Sequence, residues 1–178
     1  MLDATVLDYL ELATKLGETA FCHQLQVPVL VVPVPDTGNS FQSCPTRVVP
    51  EEEQSSPNSR YTRLSHQAGL IELHPGQPNP EQRVTIGRSE DNDVVLQDGT
   101  VSSRHAAILF DAHTASFALQ DQESTNGTAI NGRSVVPLRV TPIQDGDVLS
   151  FGDAVFLFFT PSGFYQALRE KLGLGQQG

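Results

Sequence analysis

The chain is poor in the residues that would make it a metalloprotein, a disulfide scaffold or a membrane protein. Among 178 residues there are two cysteines, Cys22 and Cys44, and no tryptophan. Neither cysteine belongs to a CxxC pair or a Cys/His cluster, so no zinc ligand set is expected, and both are read as reduced thiols. No apolar run approaches the roughly 18 residues of a spanning helix, and Met1-Leu2-Asp3 lacks the basic start of a secretory signal. Cytoplasmic localisation is the resulting expectation. Positive charge is scarce as well: 11 Lys and Arg stand against 21 Asp and Glu, a net charge of −10. Acid is in excess on both sides of Ala68, 8 to 4 before it and 13 to 7 from it onward, which disfavours nucleic acid and anionic lipid as partners.

What is present falls into four stretches. In residues 1–34, Val6, Leu10, Ala13 and Leu16 recur at helical spacing, predicting an amphipathic helix over Asp3 to Leu16 with Asp3 as N-cap and Gly17 as its stop. Such a helix is too short to stand alone in water, so its apolar face must dock. The run Val27-Pro28-Val29-Leu30-Val31-Val32-Pro33-Val34 is β-branched, and its two prolines argue against the middle of a sheet, which leaves an edge strand, a core segment or a self-association site open. Residues 1–34 are also a candidate contact for a second partner or a second copy of the chain. Residues 35–67 are rich in Pro, Ser, Gln and Asn, include Glu51-Glu52-Glu53, and read as a flexible linker.

From residue 68 to 161, short apolar or alternating runs are separated by Asp98-Gly99, Asn126-Gly127, Asn131-Gly132 and Asp145-Gly146. These dipeptides supply the positive φ of tight turns, and many short strands at such spacing predict an all-β sandwich. Residues 162–178 follow as a short C-terminal helix and tail, the helix running from Pro161 to Leu172. Within the strand-rich stretch, Arg88, Ser102, Ser103, Thr125 and Asn126 all lie beside turn signals, where the loops of a sandwich gather. Forked guanidinium donors with short hydroxyl and amide donors suit the three terminal oxygens of a phosphomonoester.

The motifs in order are Ile86-Gly87-Arg88-Ser89, Asp93-Val94-Val95-Leu96, Val101-Ser102-Ser103-Arg104-His105-Ala106, Ser124-Thr125-Asn126-Gly127-Thr128, Asn131-Gly132 and Asp145 to Gly152. This series resembles forkhead-associated (FHA) domains over residues 68–161. The resemblance implies a β-sandwich of about 11 strands and a phosphothreonine-binding function as an adaptor or signalling module, without enzymatic activity, cofactor or metal. It implies that Arg88 and Ser102 hold the phosphate, helped by Ser103, Thr125 and Asn126. It implies further that Gly87, His105 and Gly127 support the site, while Thr100, Glu123 and Arg133 are candidates for reading the residues that flank the phosphothreonine. The partner is then a phosphothreonine-containing protein.

The residues admit three other readings. Ser102 and His105, three apart in an extended strand, are expected on opposite faces, with no acid to orient the imidazole, which argues against a nucleophile–base pair. Gly127 to Ser134 approximates a P-loop but lacks its lysine and its strand–loop–helix setting. The alternative of another class is a structural or assembly factor that uses the FHA fold and residues 1–34 as phosphate-independent protein-binding surfaces.

Overall fold

The computed structural model describes residues 4–33, 64–65, 68–75, 83–111 and 114–174. The Asp3 cap, Cys44 and nearly all of the 35–67 segment lie outside them. In chain order the described elements are β1 (Ala4–Thr5), α1 (Val6–Lys15), α2 (Glu18–Gln24), β2 (Val29–Val31), β3 (Gly69–Glu72), β4 (Arg83–Gly87), β5 (Val94–Val95) and β6 (Ala106–Asp111). They continue with β7 (Ser116–Asp121), β8 (Thr128–Ile130), β9 (Arg133–Ser134), β10 (Thr141–Ile143), β11 (Val148–Phe151), β12 (Ala154–Phe159) and α3 (Pro161–Lys171).

The strands form a seven-stranded sheet, β1-β3-β2-β12-β11-β8-β9, and a five-stranded sheet, β10-β7-β6-β4-β5. Every pairing is antiparallel except β4 with β5. Because side chains alternate along a strand, the larger sheet has two faces to cover. Leu30, Leu149, Phe151, Phe156 and Phe158 pack with Ile86, Ile108 and Leu119 of the smaller sheet. Val29, Val31, Leu157 and Phe159 belong instead to a second apolar cluster, with Val6, Leu10, Phe21, Phe164 and Leu168 of the three helices.

The molecule therefore has three layers, the expected β-sandwich with its N-terminal and C-terminal helices gathered into one layer against the larger sheet. Burial on both faces explains the unbroken apolar run Phe156-Leu157-Phe158-Phe159, where alternation would mark a strand with one wet face. In the helical layer, Phe164 meets Tyr9, Phe21 and Phe159 with ring centroids 5.7, 6.3 and 5.9 Å apart. The Tyr9 hydroxyl also donates to Glu72 on β3, tying α1 to the sheet.

The structure refines three expectations about the N-terminal stretch. Helix α1 begins at Val6, because Ala4 and Thr5 pair with Leu70 and Gly69, and Asp8 accepts the Thr5 N–H and hydroxyl, each at 2.8 Å. Helix α1 ends at its Leu16 C-cap, just before the expected stop, and Gly17 at φ −72° is the N-cap of a second helix, α2. Most consequentially, β2 is not an edge strand: it lies between β3 and β12, pairing Leu30 with Ile71 and with Phe158. Pro28 and Pro33 flank the three paired residues and remove no N–H from the ladder, while the Pro28 carbonyl accepts from Leu73 at 2.8 Å. The sandwich thus draws on strands from both sides of the 35–67 segment.

The turn signals also separate. Asn131 (φ 52°) and Gly132 (φ 77°) form the two-residue hairpin between β8 and β9, both in the left-handed region as that turn requires. Gly99 has no positive φ; its turn is held by the Asp98 carboxylate, which accepts from Thr100 N at 2.8 Å and Thr100 Oγ1 at 2.6 Å.

Candidate functional site

Three loops meet at one end of the sandwich: residues 88–93 after β4, 96–105 after β5 and 122–127 after β7. The first two are closed on each other by backbone bonds, Arg88 N to Ser102 O at 2.9 Å and Ser89 N to Ser103 O at 3.1 Å. Gly87 makes this approach possible, since a Cβ there would stand 2.4 Å from Ser103 O and 2.8 Å from Asn92 Nδ2. Buried Asn92 then clamps the junction, its amide donating to Ser89 O at 2.8 Å and Ser103 O at 2.7 Å.

His105 joins the second loop to the third. Its ring is fully buried, edge-on to Phe151, with Nδ1 accepting from Ser102 N at 3.0 Å and Nε2 donating to Gly127 O at 3.1 Å. Both bonds need the neutral Nε2–H tautomer, an assignment made from these partners. Burial pushes the imidazole below its ordinary value, against the opposing pull of the Gly127 carbonyl and the Asp121 charge. Residues 101–104 turn and do not extend as a strand, so the His105 ring folds back onto Ser102. The expected opposite-face geometry does not occur.

Thr125 N donates to Ser102 Oγ at 2.9 Å, and Ser102 Oγ lies 3.3 Å from Thr125 Oγ1. Asn126 Nδ2 donates to Thr100 O at 2.8 Å. Arg88 is exposed, with Nε on Val101 O at 3.2 Å; its terminal nitrogens have no partner among the described residues. The Ser103 side chain is exposed beside it. The five candidate residues therefore present the Arg88 guanidinium, two serine hydroxyls, a threonine hydroxyl and an amide, one charged donor with short neutral ones.

The remaining expected residues are placed differently. Thr100 is adjacent, but its hydroxyl is spent inside the fold, accepting from Asp153 N at 2.9 Å and donating to Asp98. Glu123 is exposed at the tip of the third loop with φ 57°. Arg133 pairs with Ile130, at the other end of β8 from Gly127, so the fold does not bring it to the three loops.

Two residues central to the geometry carry no signal in the motif series. Asn92 is one, its clamp visible only once the loops are folded. The other is Asp121, 1 % exposed, which accepts from Ser124 N at 3.0 Å and from the hydroxyls of Ser124 and Thr128. Burial works against its ionisation, yet these bonds outweigh it and lower its pKa. The spacing Asp121-x-x-Ser124 at a strand end is the sequence cue for such a side-chain-to-backbone turn.

The FHA domain family model matches residues 84–152. The chain is 33 % identical over 85 residues to the Angiogenic factor with G patch and FHA domains 1 of Mus musculus, a match covering 44 % of this chain and 12 % of that protein. It is 33 % identical over 134 residues to the E3 ubiquitin-protein ligase CHFR of Homo sapiens, covering 72 % and 19 % respectively. The matches thus span less than a fifth of either relative's length. The N-terminal FHA domain of Rad53p from S. cerevisiae, solved in complex with a phosphothreonine peptide, shares 23 % identity at a TM-score of 0.46. That comparison covers 55 % of this chain and 88 % of that one. The motif glycines, the Ser102–His105 turn and the 122–127 loop all lie inside the segment that matches the FHA domain family model.

Proposed function

We propose that this protein docks onto a partner carrying a phosphothreonine, through Arg88, Ser102, Ser103, Thr125 and Asn126. FHA domains are phosphothreonine-peptide-binding modules of signalling proteins. The observation that carries the reading for this chain is convergence: Arg88, Ser102, Thr125 and Asn126, spread over 39 residue positions, are tied into one surface by the bonds among their three loops.

In this reading, Arg88 offers its terminal N–H groups to a dianion, a charge-assisted contact worth about 1.5–3 kcal/mol. The hydroxyls of Ser102, Ser103 and Thr125 turn toward the remaining oxygens, each contributing about 1 kcal/mol. Asn126, anchored on Thr100 O, presents its side-chain carbonyl to the peptide backbone, and Glu123 stands where a flanking residue passes. His105, Gly87 and Gly127 support the loops, keeping the donors fixed before the ligand arrives, which lowers the ordering cost of binding. The task is adaptor-like docking in the cytoplasm, switched on by a kinase acting on the partner.

Calorimetry with a phosphothreonine peptide library tests this. Ligands are expected in the micromolar range, about −8 kcal/mol, with phosphoserine and unphosphorylated versions much weaker. Equal binding with and without phosphate would favour the second reading, a phosphate-independent assembly surface. One observation favours that reading: among the five candidate residues only Arg88 is charged, and Ser103 adds no charge. A second partner at the N-terminal stretch would have to use the outer side of the helices, where Leu7 is exposed, because the apolar side of α1 is already covered by the sandwich.

A further inference from the structure

Between β9 and β10 the chain crosses from one sheet to the other at the same end of the sandwich as the three loops. Val135 N donates to Thr128 O and Leu138 N to Asp121 O, both at 2.9 Å, and Gln120 Nε2 donates to Leu138 O at 2.8 Å. Asp121 and Thr128 bracket the 122–127 loop, so the crossing is fastened to both ends of the segment that holds Thr125 and Asn126. Its side chains contrast with this anchored backbone: Val136, Leu138 and Val140 are 57, 53 and 52 % exposed. Three of the seven large apolar side chains exposed among the described residues thus fall within five positions, which makes a patch of them and not scattered surface.

Leu138 also sits at φ 62°, a left-handed conformation that leucine rarely adopts and that asparagine or glycine would take more easily. A strained, exposed leucine outside both core clusters points to a use outside the fold. Charge narrows what that use is. Across residues 135–140 the sole charged side chain is Arg139, which is exposed, in a protein of net charge −10. An apolar surface of positive sign is complementary to an anionic ligand, and a second copy of this acidic chain is a poorer match.

We infer that Val136, Leu138 and Val140, beside Arg139, form a second contact for the phosphorylated partner, receiving an aliphatic side chain that flanks the phosphothreonine. The inference rests on the phosphopeptide reading of the adjoining loops. It adds a selectivity element whose position relative to those loops is held by Asp121 and Thr128.

The probe is a Gly-Ser peptide with a central phosphothreonine and a single leucine moved through each flanking position, titrated by fluorescence anisotropy against the full chain. A leucine at one or two neighbouring positions should tighten binding about tenfold over the leucine-free phosphopeptide. The Val136→Ser/Leu138→Asn/Val140→Ser variant should lose that gain while holding the leucine-free phosphopeptide as the parent does. If the triple variant melts below the parent, Leu138→Asn alone carries the same comparison, since asparagine suits the backbone there. No gain at any leucine position, or a gain that survives the substitutions, overturns the inference and leaves the phosphate reading standing. Failure of the parent to bind any phosphopeptide overturns both. A concentration-dependent increase in mass that the substitutions abolish would assign the patch to a second copy, and overturns it too.

Discussion

At the loop end of the molecule, Asn92, His105 and Asp121 are buried polar side chains with bonded partners, and no buried side-chain nitrogen or oxygen among the described residues lacks one. Across the helical layer, Phe21, Phe159, Phe164 and Tyr165 meet ring against ring, with centroids 5.2 to 6.3 Å apart along the cluster. Hydrogen bonds are directional and fix where a loop stands, while apolar burial is undirected and mainly fixes how firmly a layer adheres. The difference teaches that position and stability are supplied separately in this protein. Substitutions in the helical layer should therefore leave the geometry of the loop end nearly intact.

The largest expected effect comes from the helical layer. Phe164→Ala should lower unfolding free energy by about 3–5 kcal/mol in denaturant titrations, through lost burial and the cavity left between Tyr9, Phe21 and Phe159. Phosphopeptide affinity, measured where the variant is still folded, should stay within a few-fold of the parent. A loss of affinity as large as the loss of stability would break the separation.

Arg88→Ala makes the converse case. It should cost about 2–5 kcal/mol of phosphopeptide binding while the melting temperature stays at the parent's, because the exposed guanidinium has a single bond to the fold. Normal binding by a normally melting variant would move the phosphate to another place.

Asn92→Ala sharpens the comparison, since it removes a clamp and not a ligand contact. The lost bonds to Ser89 O and Ser103 O should cost about 1–3 kcal/mol of stability and weaken phosphopeptide binding together, as the two loops loosen. Measured side by side, the two losses identify Asn92 as positioning; a change in stability alone would make it merely structural.

The smallest effect is one of pH. The folded protein holds the His105 pKa below the ordinary 6.5, so the unfolded chain takes up a proton first as acid is added. Stability should therefore begin to fall as pH drops through 6.5 and level off once the folded protein takes up the proton as well. His105→Gln should flatten that part of the curve in pH-dependent chemical denaturation. An unchanged slope would mean another group titrates there.

The same contrast explains what could be foreseen. At the loop end, the position of Arg88, Ser102, Thr125 and Asn126 in loops was legible from their turn signals, while the turn that folds His105 back onto Ser102 had the look of extended strand. Asn92 escaped because an amide in a polar run has no distinguishing neighbours before folding. In the helical layer, the Val6, Leu10 and Ala13 face was legible from its period, but α2 buries little beyond Phe21 and is too short to show one. The strand Val29–Val31 was recognised as extended and misplaced in the sheet, since prolines two residues from its centre on one side and three on the other look the same whether a strand is central or marginal. The strands β8, β9 and β10 have three residues or fewer, too few for alternation to appear.

The interior place of β2 has a consequence for synthesis. Its partner β12 follows it by more than a hundred residues, and at ribosomal rates of about 5–20 residues per second the gap is on the order of ten seconds. Throughout that interval Val29, Leu30 and Val31 are translated but the strand that completes their pairing is not, and a β-branched apolar segment in that state is a template for the wrong neighbour. Pro28 and Pro33 bound the segment on both sides, and neither can donate to a growing ladder, so a mistaken pairing is confined to a few residues. The two prolines that make this strand look unfit for the middle of a sheet thus act as gatekeepers for a strand that has to wait for its place there.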